Sequence, residues 1–207
     1  MRHTNFSQIK VNFISLLLVL LSNSLFSQKS SSDFVFTIVT NNPGSNQSDD
    51  STFILRTYGN ETYNFDLDIN NDGIFDSLGL TNGTFIRFPY PDTFTLRIRG
   101  QFPRFNFVNY DGEKLISIDQ WGTQAWTSMY RGFYYCENLV SLPSDTPNLS
   151  LVTDMSSMFF HAESIVSGIA HWDVSNVTSM HRMFEGALLF NDSIGDWNVS
   201  NVQTTLG

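Results

Sequence analysis

The stretch from Trp172 to Phe184, WDVSNVTSMHRMF, is answered 25 residues later by Trp197 to Val202, WNVSNV. A fixed period of this length constrains the fold more than anything else in the chain, because units too short to bury their own apolar face must stack on their neighbours. The offset pairs Val152 with Val177 and Val202, Met155 with Met180, Met158 with Met183, Phe159 with Phe184, Ala162 with Ala187, Ile169 with Ile194 and Trp172 with Trp197. A more divergent copy lies 26 residues earlier and matches Trp126 to Val152, Met129 to Met155, Phe133 to Phe159, Cys136 to Ala162 and Leu139 to Ile165. The repeated tract therefore begins near Trp121.

Within one copy, Met155, Met158, Phe159 and Ala162 fall at spacings of 3, 1 and 3, which predicts an apolar stripe on a short helix. Ile165 to Val174 reads as extended. One short helix and one short strand per unit is a leucine-rich-repeat-type solenoid, with the repeated Met, Phe and Trp residues as its packing core. Recognition is then expected in the variable residues between them. The pattern calls for a methionine where Thr205 stands, two residues before Gly207, so a chain broken off in mid-unit is expected.

Residues 28–112 have a different texture. Aromatic and β-branched runs alternate with Asn, Gly, Pro and Asp clusters, the signature of an all-β sandwich. Phe34 to Val39 opens it, and Thr52 to Tyr58 and Thr62 to Asp68 read as a hairpin turned at Gly59-Asn60. Thr93 to Arg99 alternates strictly, which puts Phe94, Leu96 and Ile98 on a buried face and Arg97 and Arg99 in solvent. The expected fold class is thus α+β: an N-terminal sandwich over 28–112, then repeats over 113–207.

One loop in the first half carries potential chemistry. Asp68, Asn70, Asp72 and Asp76 stand at relative positions 1, 3, 5 and 9, with Gly73 at position 6, a layout that wraps a hard cation such as Ca²⁺. Position 12 is Gly79, so the bidentate glutamate of an EF-hand is missing. The same residues equally make an Asx-rich turn between two strands. Structural Ca²⁺ and a plain turn both remain open on this pattern.

The ends and the charge set the address. Arg2, His3 and Lys10 precede a mostly apolar run from Val11 to Leu21 and small residues up to Ser27, the layout of a cleaved signal peptide over 1–27. The run is about half the ~20 residues a membrane span needs. Removing it takes away Arg2 and Lys10 and no acid, leaving 9 basic against 20 acidic residues, a net charge of −11. Nucleic acid is a poor partner for such a chain. The single cysteine, Cys136, excludes a disulfide framework and reads as a buried apolar residue. His161, His171 and His181 are ten apart, off the repeat period, and read as incidental, with only His171, two residues before Asp173, at a ligand-like short spacing. No nucleophile elbow, zinc helix or phosphate loop occurs, so no catalytic or cofactor-binding residue is expected.

The unit WDVSNVTSMHRMF and, from Phe190, FNDSIGDWNVSNV resemble the repeats of BspA-like leucine-rich-repeat surface proteins of bacteria. Four junction segments are similar to the passage from that family's β region into its first repeats: GQFPRFNF from Gly100, KLISIDQWG from Lys114, WTSM from Trp126 and FYYCENL from Phe133. The resemblance spans roughly residues 85–207. Before that, the β region is similar to PKD- and Ig-like sandwiches in outline only. The resemblance implies a secreted or cell-surface scaffold for adhesion or protein–protein interaction. Its partners would be a host or neighbouring-cell protein, extracellular matrix or a surface glycan. It transfers no catalytic residue. The other reading is a Ca²⁺-dependent carbohydrate-binding module of a longer secreted enzyme.

Overall fold

The computed structural model describes residues 30–42, 48–107 and 111–204. The expected signal peptide and Thr205 lie outside the described residues. The first half forms strands β1 (Phe34–Val39), β2 (Thr52–Leu55), β3 (Asn64–Asp68), β4 (Ser77–Leu80), β5 (Thr84–Arg87) and β6 (Thr93–Gln101). A 3-10 turn at Asp111–Lys114 leads into β7 (Leu115–Gln120). All strand pairs are antiparallel, in a five-stranded sheet of order β4-β3-β6-β1-β7 and a two-stranded sheet β2-β5.

β1 has the bounds its sequence predicts, because Phe34, Phe36 and Ile38 alternate onto one buried face. The expected hairpin of Thr52–Tyr58 with Thr62–Asp68 does not form. β2 instead pairs with β5, and β3 lies between β4 and β6. The small sheet packs on the large one through Phe53, whose ring centroid is 5.9 Å from that of Phe36. Alternation also misplaces Arg97, which is 1% exposed. Both faces of β6 are covered at that point, the outer one by the loop after β3. Arg97 is held there by Asn71 Oδ1, at 3.1 Å from Nε and 2.9 Å from Nη2, with Asp33 at 3.7 Å from Nη1.

The second half overturns the helix-bearing repeat. Among the described residues there is no α-helix, and beyond β7 only a 3-10 turn at Ile194–Asp196 and isolated bridges occur. The fold is therefore nearly all β, with a turn-rich second half, not α+β with a leucine-rich-repeat solenoid. The physical reason lies in backbone conformation. Ser157 and His161 sit at φ 55° and 52°, in the left-handed region that interrupts any right-handed helix. Two successive turns, Met158 N–H to Met155 O and Ala162 N–H to Phe159 O, bring Met155, Met158, Phe159 and Ala162 inward at the spacing a helix would have used. Nor is the expected extended stretch from Ile165 to Val174 a strand; it turns at Ile169, whose carbonyl accepts from Trp172.

The amides that a helix would consume join one copy to the next instead. Met155, Ser157, Phe159 and His161 donate to Ser179, His181, Met183 and Glu185 at 2.8–2.9 Å. One copy earlier, Met129, Arg131, Phe133 and Tyr135 donate to Asp154, Ser156, Met158 and Phe160 at 2.8–3.2 Å. The left-handed positions recur with the same period, at Arg131, Ser157 and Arg182 and again at Tyr135, His161 and Gly186.

One buried cluster runs from Phe34 to Met183 without a break. At its centre the indole of Trp126 meets Phe34 at 5.0 Å and Phe105 at 5.1 Å, while Trp121 meets Trp172 at 5.4 Å. Each such ring pair adds about 0.5–1.5 kcal/mol beyond its area burial. Phe133, Phe159 and Phe184 stack in register at 5.3 and 5.8 Å. β7 completes the sheet on one side, and on the other receives the next turn through Ile118 N–H to Ser141 O and Val140 N–H to Ile116 O.

Candidate interaction surface

Asp68, Asn70, Asp72 and Asp76 are brought together in the loop between β3 and β4, but their oxygens serve the loop's own backbone. Fully buried Asp68 accepts from the amides of Asn70 and Asp72, both at 3.3 Å, and of Gly73 at 2.9 Å. Asp76 accepts from Ile69 at 2.8 Å and Asp72 from Ile74 at 2.7 Å, and the Asn70 amide donates to Asp72 at 3.1 Å. Among the described residues no three His, Cys, Asp or Glu side chains are placed to hold a metal ion. What the loop visibly does is present Asn71 to Arg97 and so close the outer face of β6.

The other residues singled out from the sequence do not assemble into a reactive site. Cys136 is buried, which pushes its thiol well above the ordinary range. His161 lies 3.4 Å from Glu163, and His171 lies 3.4 Å from the Asp145 carbonyl. The ring Nδ1 of His181 is buried and without a hydrogen-bond partner. A shallow concavity of about 370 Å³ over β1 and β6 is lined by Thr37, Thr95, Arg97 and Asp119. Its polar groups are already engaged, Thr37 bonding both Thr95 and Asp119.

A more distinctive feature lies outside the core, where the repeat carries non-repeated residues. Tyr134 and Phe160 stack at 4.8 Å with 9° between ring planes, and Tyr135 and His161 stack at 5.0 Å with 4°. These are equivalent positions in successive copies, made adjacent by the amide ladder that binds Tyr135 to Phe160. Tyr135 is 39% exposed, and the other three are half-buried. In the third copy the pair becomes Glu185 and Gly186, where the row stops. A Cβ on Gly186 would come within 2.8 Å of the His161 ring, so the glycine gives that ring its room.

The row continues in the other direction as alternating cations and rings. The Arg131 guanidinium lies 5.1 Å from the ring centroids of both Tyr134 and Tyr130. Arg104 lies 5.9 Å from Tyr130 and 4.1 Å over Tyr58. The order is Tyr58, Arg104, Tyr130, Arg131, Tyr134, Phe160, crossing from the β half into the repeats. The sequence places recognition in the variable residues between the repeated core positions, where these rings lie, but does not single them out. The available signal was that Tyr134-Tyr135 and Phe160-His161 flank the repeated core positions without recurring in the third copy.

Residues 104–206, about half of the 207-residue chain, match the family described as Mycoplasma protein of unknown function, DUF285. The match opens at Arg104 and takes in every copy of the repeat. Neither a curated protein nor a solved structure matches the chain.

Proposed function

We propose that the chain is a secreted or cell-surface, non-catalytic scaffold of the BspA-like kind, mediating adhesion or protein–protein interaction. The observation that carries this reading is the row of Tyr134, Tyr135, Phe160 and His161, stacked from copy to copy on the outside of a core already filled by the repeated residues. Flat rings held rigidly at a surface supply contact area at little entropic cost on binding. The family match over residues 104–206 and the resemblance of the repeat units support the same reading.

The test is adhesion of beads coated with the chain to arrays of extracellular-matrix proteins, host-cell surface proteins and glycans. Retention on a defined subset, reduced when Tyr135→Ser and His161→Ser are combined, is the expected result. Retention on no surface refutes the proposal, and so does retention that the double variant leaves unchanged.

A further inference from the structure

Arg56 has interactions of its own, and the other six arginines among the described residues divide into two groups. Arg87, Arg97, Arg99 and Arg182 each have a carboxylate partner within 4.0 Å. Arg104 and Arg131 have none among the described residues, and the Nε of each is buried without a hydrogen-bond acceptor. The chain holds 20 acidic residues against 11 basic ones. Two neighbouring guanidinium groups left without carboxylates in so acidic a protein are a local exception, and both lie within 5.9 Å of the Tyr130 ring.

Stacking uses the faces of a guanidinium and leaves its in-plane N–H donors for a planar or tetrahedral oxyanion. The phenols of Tyr58, Tyr130 and Tyr134 beside it bring hydroxyl groups able to hydrogen-bond a sugar. From these two facts we infer that the Tyr58–Arg104–Tyr130–Arg131–Tyr134 stack is a binding site for an acidic glycan, one bearing sulfate or carboxylate groups. The inference rests on the adhesive reading above and names the chemistry of its ligand.

The surface is polar along its length, which fixes where the anionic group sits. At the far end His161 is 3.4 Å from Glu163, and Glu137 has its carboxyl pushed upward by burial first and then by the charge of Glu163. Sulfate or carboxylate is therefore repelled there and drawn to Arg104 and Arg131. Sugar rings lacking a charge are free to extend toward the Phe160 end of the row. A nucleic acid, with its continuous run of phosphates, would meet the acidic remainder of the molecule.

The test is isothermal titration of the full chain with a heparin-derived hexasaccharide, with its desulfated counterpart, and with a tyrosine-sulfated peptide. The hexasaccharide should bind, and weaken as salt is raised from about 50 to about 200 mM. The desulfated sugar should bind much more weakly. Arg104→Gln and Arg131→Gln should each lower affinity about tenfold, as for loss of one charge-assisted pair, and Arg182→Gln, which leaves the stack intact, should not. Because Arg131 also packs against tyrosines, Arg131→Lys and the near-ultraviolet dichroism of every variant accompany the series. A folded Lys variant should bind at an intermediate level. No binding of the hexasaccharide overturns the inference, as does equal binding of the desulfated form or undiminished binding by folded Gln variants. Binding of the sulfated peptide alone would assign the site to a protein. Beads that adhere while the hexasaccharide fails to bind would sink this inference and leave the adhesive reading standing; failure of both would sink the two together.

Discussion

Asp192 offers the sharpest test of how successive copies are joined. Its Oδ2 accepts from three consecutive amides of the preceding copy, Gly168 and Ile169 at 2.8 Å and Ala170 at 2.9 Å. Gly168, at φ 116°, gives the backbone the bend that points the three N–H groups at one oxygen. Hydrogen bonds to a charged group stabilise by about 1.5–3 kcal/mol each, but three that share one partly exposed acceptor are far from additive. Asp192→Ala should cost ~2–3 kcal/mol in all, with water taking up part of the loss. In a chain of this size that lowers the melting temperature by about 4–10 °C. Burial pushes the Asp192 carboxyl upward, yet the amides of Ile169, Gly168, Ser193 and Ala170 together outweigh it and hold the group below its ordinary value of 3.8. A carboxyl depressed on folding contributes its full stabilisation above the unfolded value and loses it as pH falls through the folded one. Thermal melts followed by far-ultraviolet dichroism should therefore show a large gap between wild type and Asp192→Ala at neutral pH. The gap should narrow as pH is lowered through the depressed folded value of the wild-type carboxyl, toward the ~1 kcal/mol left by hydrogen bonds to a neutral group. Equal melting temperatures at neutral pH, or a gap undiminished in acid, would refute the account.

Gly122→Ala places a Cβ 2.4 Å from the Ser32 carbonyl oxygen and 2.5 Å from that of Asp33, at φ 71°, with only backbone to give way. A loss of ~3 kcal/mol or more in urea unfolding is expected. Lys114→Met removes three hydrogen bonds, to Ser48 Oγ at 2.7 Å, Asp49 O at 2.7 Å and Thr52 O at 2.8 Å, and leaves buried Asp111 without its cation. Chemical denaturation should register about 3–5 kcal/mol, whereas a change below ~1 kcal/mol would show the cluster to be dispensable. Because the carboxylates of the Asp68–Asp76 loop already serve its own amides, millimolar Ca²⁺ added to chelator-treated protein should move the melting temperature by less than about 1 °C. A rise of several degrees would show that the loop binds the ion.

How much of this could be read from the chain varies with the reach of the interaction. β1 was legible because Phe34, Phe36 and Ile38 alternate locally, and the repeated Met, Phe and Trp positions were legible as core because the same layer is filled in each copy. The pairing of β2 with β5 was not, since the Gly59-Asn60 turn looks the same whichever strands it separates. Arg97 looked like a solvent residue because alternation records one covered face and is blind to a loop folding over the other. The helix expected from Met155, Met158, Phe159 and Ala162 failed for a related reason. Side-chain spacing does not reveal that Ser157 and His161 adopt positive φ, which two turns require and a helix forbids. The surface stack was hidden because Tyr58, Arg104 and Tyr130 are far apart in the chain and meet only across the junction.

The end of the aromatic row at Glu185-Gly186 has an evolutionary consequence. The backbone keeps its left-handed turn with Tyr135, His161 or Gly186 in place, and the repeated core lies beneath all three, although at Gly186 the present pose of the His161 ring leaves no room for a Cβ. Display and scaffold thus fall to different residues of the same unit. Two substitutions in one copy would shorten the exposed ladder by a rung, whereas lengthening it at Glu185-Gly186 also requires the His161 ring to move aside, so a lineage of such proteins could shorten the span of what it grips more readily than extend it.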